Sequence, residues 1–159
     1  MVNLIITLIS IALIAIVAVA ALYNGGDAFR QGSANASAAQ LVNAGQQISA
    51  ANILYANDNS GSYADSVSDL TLDGAYLSSE PRVPNGFVVT DDLTKGATES
   101  NYIEIVSTEA SPEVCEAVNK QAGYDEADLT NGALADAASV DKTFGCYSAD
   151  GTTHTFEFK

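Results

Sequence analysis

The side chains able to do chemistry are few. The chain has a single histidine, His154, and its two cysteines are Cys115 and Cys146. A nucleophilic triad needs a base within reach of Ser or Cys and an orienting carboxylate behind it, and no such order of residues surrounds either cysteine or the histidine. No zinc-ligand spacing and no phosphate-cradling glycine loop is present. Asp58-Asn59-Ser60-Gly61 and Asp125-Glu126-Ala127-Asp128 offer oxygen ligands, but neither has the spacing of a helix-loop-helix calcium site, so both read as solvated loops. Paired carboxylates such as Asp91-Asp92 arise readily by chance among twenty acidic residues. His154 falls on the last expected strand and reads as a surface or lightly packed residue. Asn35-Ala36-Ser37 fits a glycosylation sequon, yet it falls inside an expected helix. The expectation is therefore a non-enzyme, with no catalytic, cofactor-binding or metal-binding residue.

The elements that carry these residues divide by polarity. No charge occurs from Met1 to Gly26, so all twenty acidic and six basic residues lie downstream, for a net charge of −14. That surface, with no basic cluster, argues against nucleic acid as a partner. Val2 to Tyr23, as a helix, is about 33 Å long, close to the roughly 30 Å hydrocarbon layer of a bilayer. No Lys or Arg precedes it and the run is too long for a secretory signal, so it reads as a retained membrane segment whose basic leader has been removed. Asn3, Thr7 and Ser10 share one face of that helix, and Ala12, Ala15, Ala18, Ala20 and Ala21 allow close backbone approach, which suits helix association. Gly25-Gly26 predicts a local break or stretch, because each glycine weakens a helix by about 1 kcal/mol relative to alanine.

Downstream, Leu41, Gly45, Ile48, Asn52 and Tyr55 recur at helical spacing and predict an amphipathic helix. Asn57-Asp58-Asn59-Ser60-Gly61 ends it with turn residues, and residues 63–82 read as an irregular connection. Strands are expected at Phe87–Thr90, Tyr102–Ser107, Phe144–Ser148 and Thr153–Phe158, the last two joined across Asp150-Gly151. Ser111-Pro112-Glu113 opens a short helix to about Ala122, and residues 125–141 read as an acidic loop with a turn or two. The reading is an α+β fold. Residues 1–26 form a hydrophobic membrane or filament-core helix, and 27–159 a globular head made of a helix (27–57), a connection (58–86) and an antiparallel sheet with a disulfide-bounded region (87–159).

In a reducing cytosol the cysteines would be two buried thiols. If the apolar start carries the rest across a membrane, they oxidise, and two cysteines allow one intramolecular bridge. Closing a loop of about thirty residues would stabilise the fold by roughly 3–4 kcal/mol.

Taken together, the hydrophobic helix at Val2–Tyr23, its continuation over Ala28–Ala56, the connection Gly61–Asn85, the four strands and the Cys115…Cys146 region resemble a type IV pilin. The Ser111–Val118 stretch, SPEVCEAV, is similar to the cysteine-bearing helix of the type IVb subgroup, where Met, as at Met1, also occurs as a mature first residue. The resemblance implies a structural subunit of an extracellular filament, held in the inner membrane before assembly. Its partners would be further copies of itself, a pilus assembly machinery and a prepilin peptidase, and its roles adhesion, motility or uptake. A minor pilin or secretion pseudopilin has the same pattern, and a single-span membrane-tethered binding domain that does not polymerise is the alternative from another class. Two positions depart from the family. Ile5 stands where a glutamate usually pairs with a neighbour's terminal amine, and Leu22 stands near the position of the usual helix-breaking proline. The residues expected at an assembly interface are Met1, Asn3, Ile5, Thr7 and Ser10, with Asn3 or Thr7 as polar acceptor and Gly25-Gly26 in the proline's role.

Overall fold

The structure is a computed structural model that describes residues 2–95, 99–107, 109 and 111–159. Its contacts separate two units, one ending at Ser33 and one formed by Ala34–Lys159. Met1 lies outside the described residues.

Helix α1 (Val2–Asp58) is 57 residues of α-helix and contributes to both units. It continues through Gly25 and Gly26, which corrects the break expected there for the isolated chain. The physical reason is cooperativity. Two glycines cost only about 2 kcal/mol against alanine, whereas a break forfeits several backbone hydrogen bonds. No neighbour forces one, since a Cβ at either glycine would meet nothing within 4 Å.

Within the second unit, Ala34, Ala38, Leu41, Ala44, Ile48, Ala51 and Asn52 are buried, a stripe at helical spacing. This stripe shares one core with a four-stranded antiparallel sheet in the order β1-β4-β6-β5, built from β1 (Phe87–Val89), β4 (Ile103–Ser107), β5 (Phe144–Tyr147) and β6 (Thr155–Phe158). A separate ribbon pairs β2 (Thr94–Lys95) with β3 (Glu99–Ser100). The register sets Ile105 opposite Val89 on one side and Phe156 on the other, with Cys146 beyond Phe156, so one face is continuously apolar. Gly45 lets the helix backbone approach that face, because a Cβ there would lie 2.9 Å from the Phe158 ring.

The alternation of Tyr102/Glu104/Val106 against Ile103/Ile105 is borne out: both isoleucines are fully buried on the core side. The connection is more ordered than its sequence suggests. Helix α2 (Val67–Thr71) forms inside it, capped by Ser66, whose hydroxyl accepts from the Asp69 N–H, and it buries Val67 and Leu70. A five-residue helix is too short to announce itself by periodicity. Asn52, fully buried, ties α1 to this segment by accepting from the Ala64 N–H at 2.8 Å and donating to Asn101 Oδ1 at 3.3 Å.

Helix α3 (Pro112–Ala122) forms over the expected residues and carries Cys115 to Cys146, with Cα atoms 5.2 Å apart in a disulfide that spans 31 residues. The loop between them packs back on α3 through the turn Thr130-Asn131-Gly132-Ala133. Gly132 has φ +79°, and a Cβ there would meet the Pro112 carbonyl at 2.5 Å, so only glycine suits the position.

Candidate interaction surface

The first unit presents its apolar residues outward. Leu4, Ile5, Ile6, Leu8, Ile9, Ile11, Leu13, Ile14, Ile16, Val17, Val19 and Leu22 are each more than half exposed. Burying one such side chain is worth about 1.5–3 kcal/mol, so exposing all of them to water would be costly. It is long and apolar enough to cross a membrane and is wholly unburied within the chain. Of the residues expected at an interface, Asn3, Ile5, Thr7 and Ser10 are all exposed. The Thr7 hydroxyl donates to the Asn3 carbonyl at 2.6 Å and the Ser10 hydroxyl to the Ile6 carbonyl at 2.8 Å, so both hydrogens are used within the helix while the oxygens still face outward as acceptors.

A second surface was not foreseen from the sequence. Asp27, Arg30 and Asp58 are the only charged side chains on α1, so residues 31–57 carry none in a chain of net charge −14. In the second unit, Ala36, Ala39, Asn43, Gln46, Gln47, Ala50, Ile53, Leu54 and Asn57 are exposed along this stretch. Such a face is lined by amides, small residues and, near its end, Ile53 and Leu54. Ile53, Leu54, Ala56, Asn57, Gly61 and Tyr63 line a shallow depression of about 520 Å³ there. The absence of charge was legible as a composition, and the predicted stripe through Leu41, Ile48 and Asn52, which is buried, leaves this opposite side exposed.

The groups considered for chemistry are otherwise engaged. Asp91 accepts from the Ser68 N–H and hydroxyl, and Asp92 from the Thr94 N–H and hydroxyl, so the acidic pair secures two turns. Residues 58–61 close the end of α1, with the Gly61 N–H donating to the Ala56 carbonyl at 2.7 Å. Glu126–Asp128 is a single 3-10 turn. Among the described residues no three His, Cys, Asp or Glu side chains gather as a metal site.

On the outer sheet face Glu104 and Glu157 stand opposite one another. The Tyr102 hydroxyl lies 2.8 Å from Glu104 and 2.9 Å from Glu157, and the Tyr147 hydroxyl donates to Glu104 at 3.0 Å. Lys159 Nζ pairs with the fully buried Glu157 at 3.1 Å. Burial, then the nearby carboxylates, pushes Tyr147 up to about 12 and Tyr102 upward as well, which keeps both phenols protonated as donors.

His154 corrects the expectation of a surface residue, for it is 2% exposed. The Ser111 N–H, just ahead of α3, donates to Nδ1 at 3.3 Å. Burial holds its pKa below the ordinary histidine value, against weaker opposite pulls from a Thr152 backbone contact, Asp150 and Glu113. The unfolded chain therefore binds the proton more readily, and stability is lost as pH falls through the ordinary value of about 6.5. We expect urea midpoints to show the wild type losing stability from pH 8 to pH 5 relative to His154→Gln, by at most about 1.4 kcal/mol per pH unit. Parallel pH profiles for the two proteins would contradict this.

No family model, no curated protein and no solved structure matches this chain.

Proposed function

We propose that the chain is the structural subunit of a type IV pilus-like extracellular filament. The observation that carries this reading is the distribution of charge against exposure. The apolar half of α1 is uncovered, and beyond Asp27 and Arg30 the exposed face of the same helix stays uncharged as far as Asn57. Copies of a chain with net charge −14 repel one another wherever charged surfaces meet, within a Debye length of about 8 Å. The helix is where they can approach without that cost. In the inner membrane lipid covers residues 2–22 before assembly, and neighbouring helices cover them afterwards. Hydrocarbon already solvates these side chains, so close packing and polar contacts decide the register. Ile5 offers no carboxylate to a neighbour's terminal amine, which leaves the Asn3 carboxamide and the Thr7 oxygen as acceptors on the exposed face. A pilus assembly machinery and a prepilin peptidase are the partners this reading requires, and the filament's work is adhesion, motility or uptake rather than catalysis.

The test is electron microscopy of the full chain after detergent removal, together with material sheared from cells that express it. Thin, uniform filaments are expected. Monodisperse protein in vesicles, with no filaments on cells, would instead support a membrane-tethered domain that does not polymerise. Asn3→Leu keeps the apolar span and removes the carboxamide. It should lower filament yield or disturb axial order, and unchanged yield and order would leave packing alone to align the subunits.

A further inference from the structure

Asn119 does for Cys146 what a neighbouring strand would do. It lies on α3 one turn after Cys115 and is fully buried. Its Oδ1 accepts from the Cys146 N–H at 2.8 Å, and its Nδ2 donates to the Cys146 carbonyl at 2.8 Å and to the Gly132 carbonyl at 3.0 Å. The two kinds of backbone partner fix which end of the carboxamide is which. Cys146 belongs to β5, the last strand of its sheet, and its backbone groups point off that edge. One face of α3 thus holds the same residue twice, through the Cys115 sulfur and through a side chain indifferent to oxidation.

We propose that Asn119 is a positioning residue for formation of the Cys115–Cys146 disulfide. In the reduced chain it holds α3 against β5 in native register, so oxidation closes a geometry already close to that of the bridged protein, whose Cα atoms are 5.2 Å apart. With a small disulfide as oxidant, such as oxidised glutathione, one cysteine thiolate attacks a glutathione sulfur and expels the first glutathione thiolate. The second cysteine thiolate then attacks the protein sulfur of the mixed disulfide and expels the other. Two protein S–H bonds become one S–S bond, two electrons pass to glutathione, and the two protons end on the glutathione thiols. The equilibrium effective concentration of the two cysteines measures the pre-positioning, whatever route the oxidant takes to the buried sulfurs.

The experiment equilibrates the full chain, in detergent micelles, with glutathione redox buffers and counts free thiols by alkylation and mass spectrometry. Asn119→Leu, of similar size but without the three hydrogen bonds, should lower the effective concentration about tenfold or more in native buffer, with no difference from wild type in concentrated urea. Ile48→Val, a core substitution on α1 rather than on α3 or β5, should leave it unchanged. Equal values for wild type and Asn119→Leu in native buffer, or an equal fall in Ile48→Val, would overturn the proposal. Hydrogen exchange gives an independent arm that needs no variant of Asn119. In the Cys115→Ser/Cys146→Ser double variant the backbone amide of residue 146 should stay protected, and exchange at the rate of an unstructured peptide would also overturn it.

Discussion

Truncating Phe156 to alanine should lower the stability of the sheet-bearing unit by about 3–5 kcal/mol, a large share of the 5–15 kcal/mol typical of a whole domain. The ring is fully buried. It stands on β6 between Ile105 of β4 and Cys146 of β5, and 6.2 Å from the Phe144 ring by centroids. Removing it leaves a cavity beneath the disulfide and between two strands, where the sheet's hydrogen bonds prevent the walls from collapsing inward. The chain has no tryptophan, so unfolding is best followed by circular dichroism. A shift equivalent to less than about 1 kcal/mol would mean that the sheet is not held by this core.

The second large effect belongs to the bridge. Replacing both Cys115 and Cys146 with serine should cost about 2–4 kcal/mol, mostly by freeing the unfolded chain rather than by loosening the folded one. The span of 31 residues sets the size of the entropy term. Because Asn119 keeps hold of Cys146's backbone, the folded state loses little geometry. The signature is a lower urea midpoint with a steeper dependence on urea, since an uncrosslinked unfolded chain exposes more surface. A midpoint unchanged between the oxidised protein and the double variant would refute it.

Much of this architecture was legible because it rests on repeated local signals. The stripe through Leu41, Ile48 and Asn52 announces a one-faced helix, Ser111-Pro112 marks the start of α3, and alternation around Ile103 and Ile105 marks a central strand. The count of two cysteines allowed one bridge, and that bridge forms. What stayed hidden depends on partners distant in the chain. Asn119 looks like an ordinary polar residue of a short helix until β5 is placed beside it. His154 looks exposed until Ser111, just ahead of α3, is placed beside its ring. The order β1-β4-β6-β5 inserts the last strand between earlier ones, and no local pattern encodes that insertion. Gly25-Gly26 misled for the opposite reason. Glycine reports a local preference, and a long run of flanking helix formers outweighs it. The membrane-length helix was plain from composition, and the stripe already separated the covered side of α1 from the uncharged side that stays exposed on the second unit.

The carboxamide that grips Cys146 also bears on what the sheet cannot do. An edge strand with unanswered N–H and C=O groups is a template for another chain, and such templates seed aggregation. On β5 part of that row, at Cys146 and the adjoining Ser148, is already occupied. Asn119 takes the Cys146 N–H, Asn119 and the Leu134 N–H share its carbonyl, and the Ser148 N–H donates to the Leu134 carbonyl at 2.9 Å. The opposite edge, β1, is only three residues long. Among the described residues the four-stranded sheet therefore offers crowded copies of this chain no long open strand, and accidental sheet-to-sheet growth is discouraged at both of its edges.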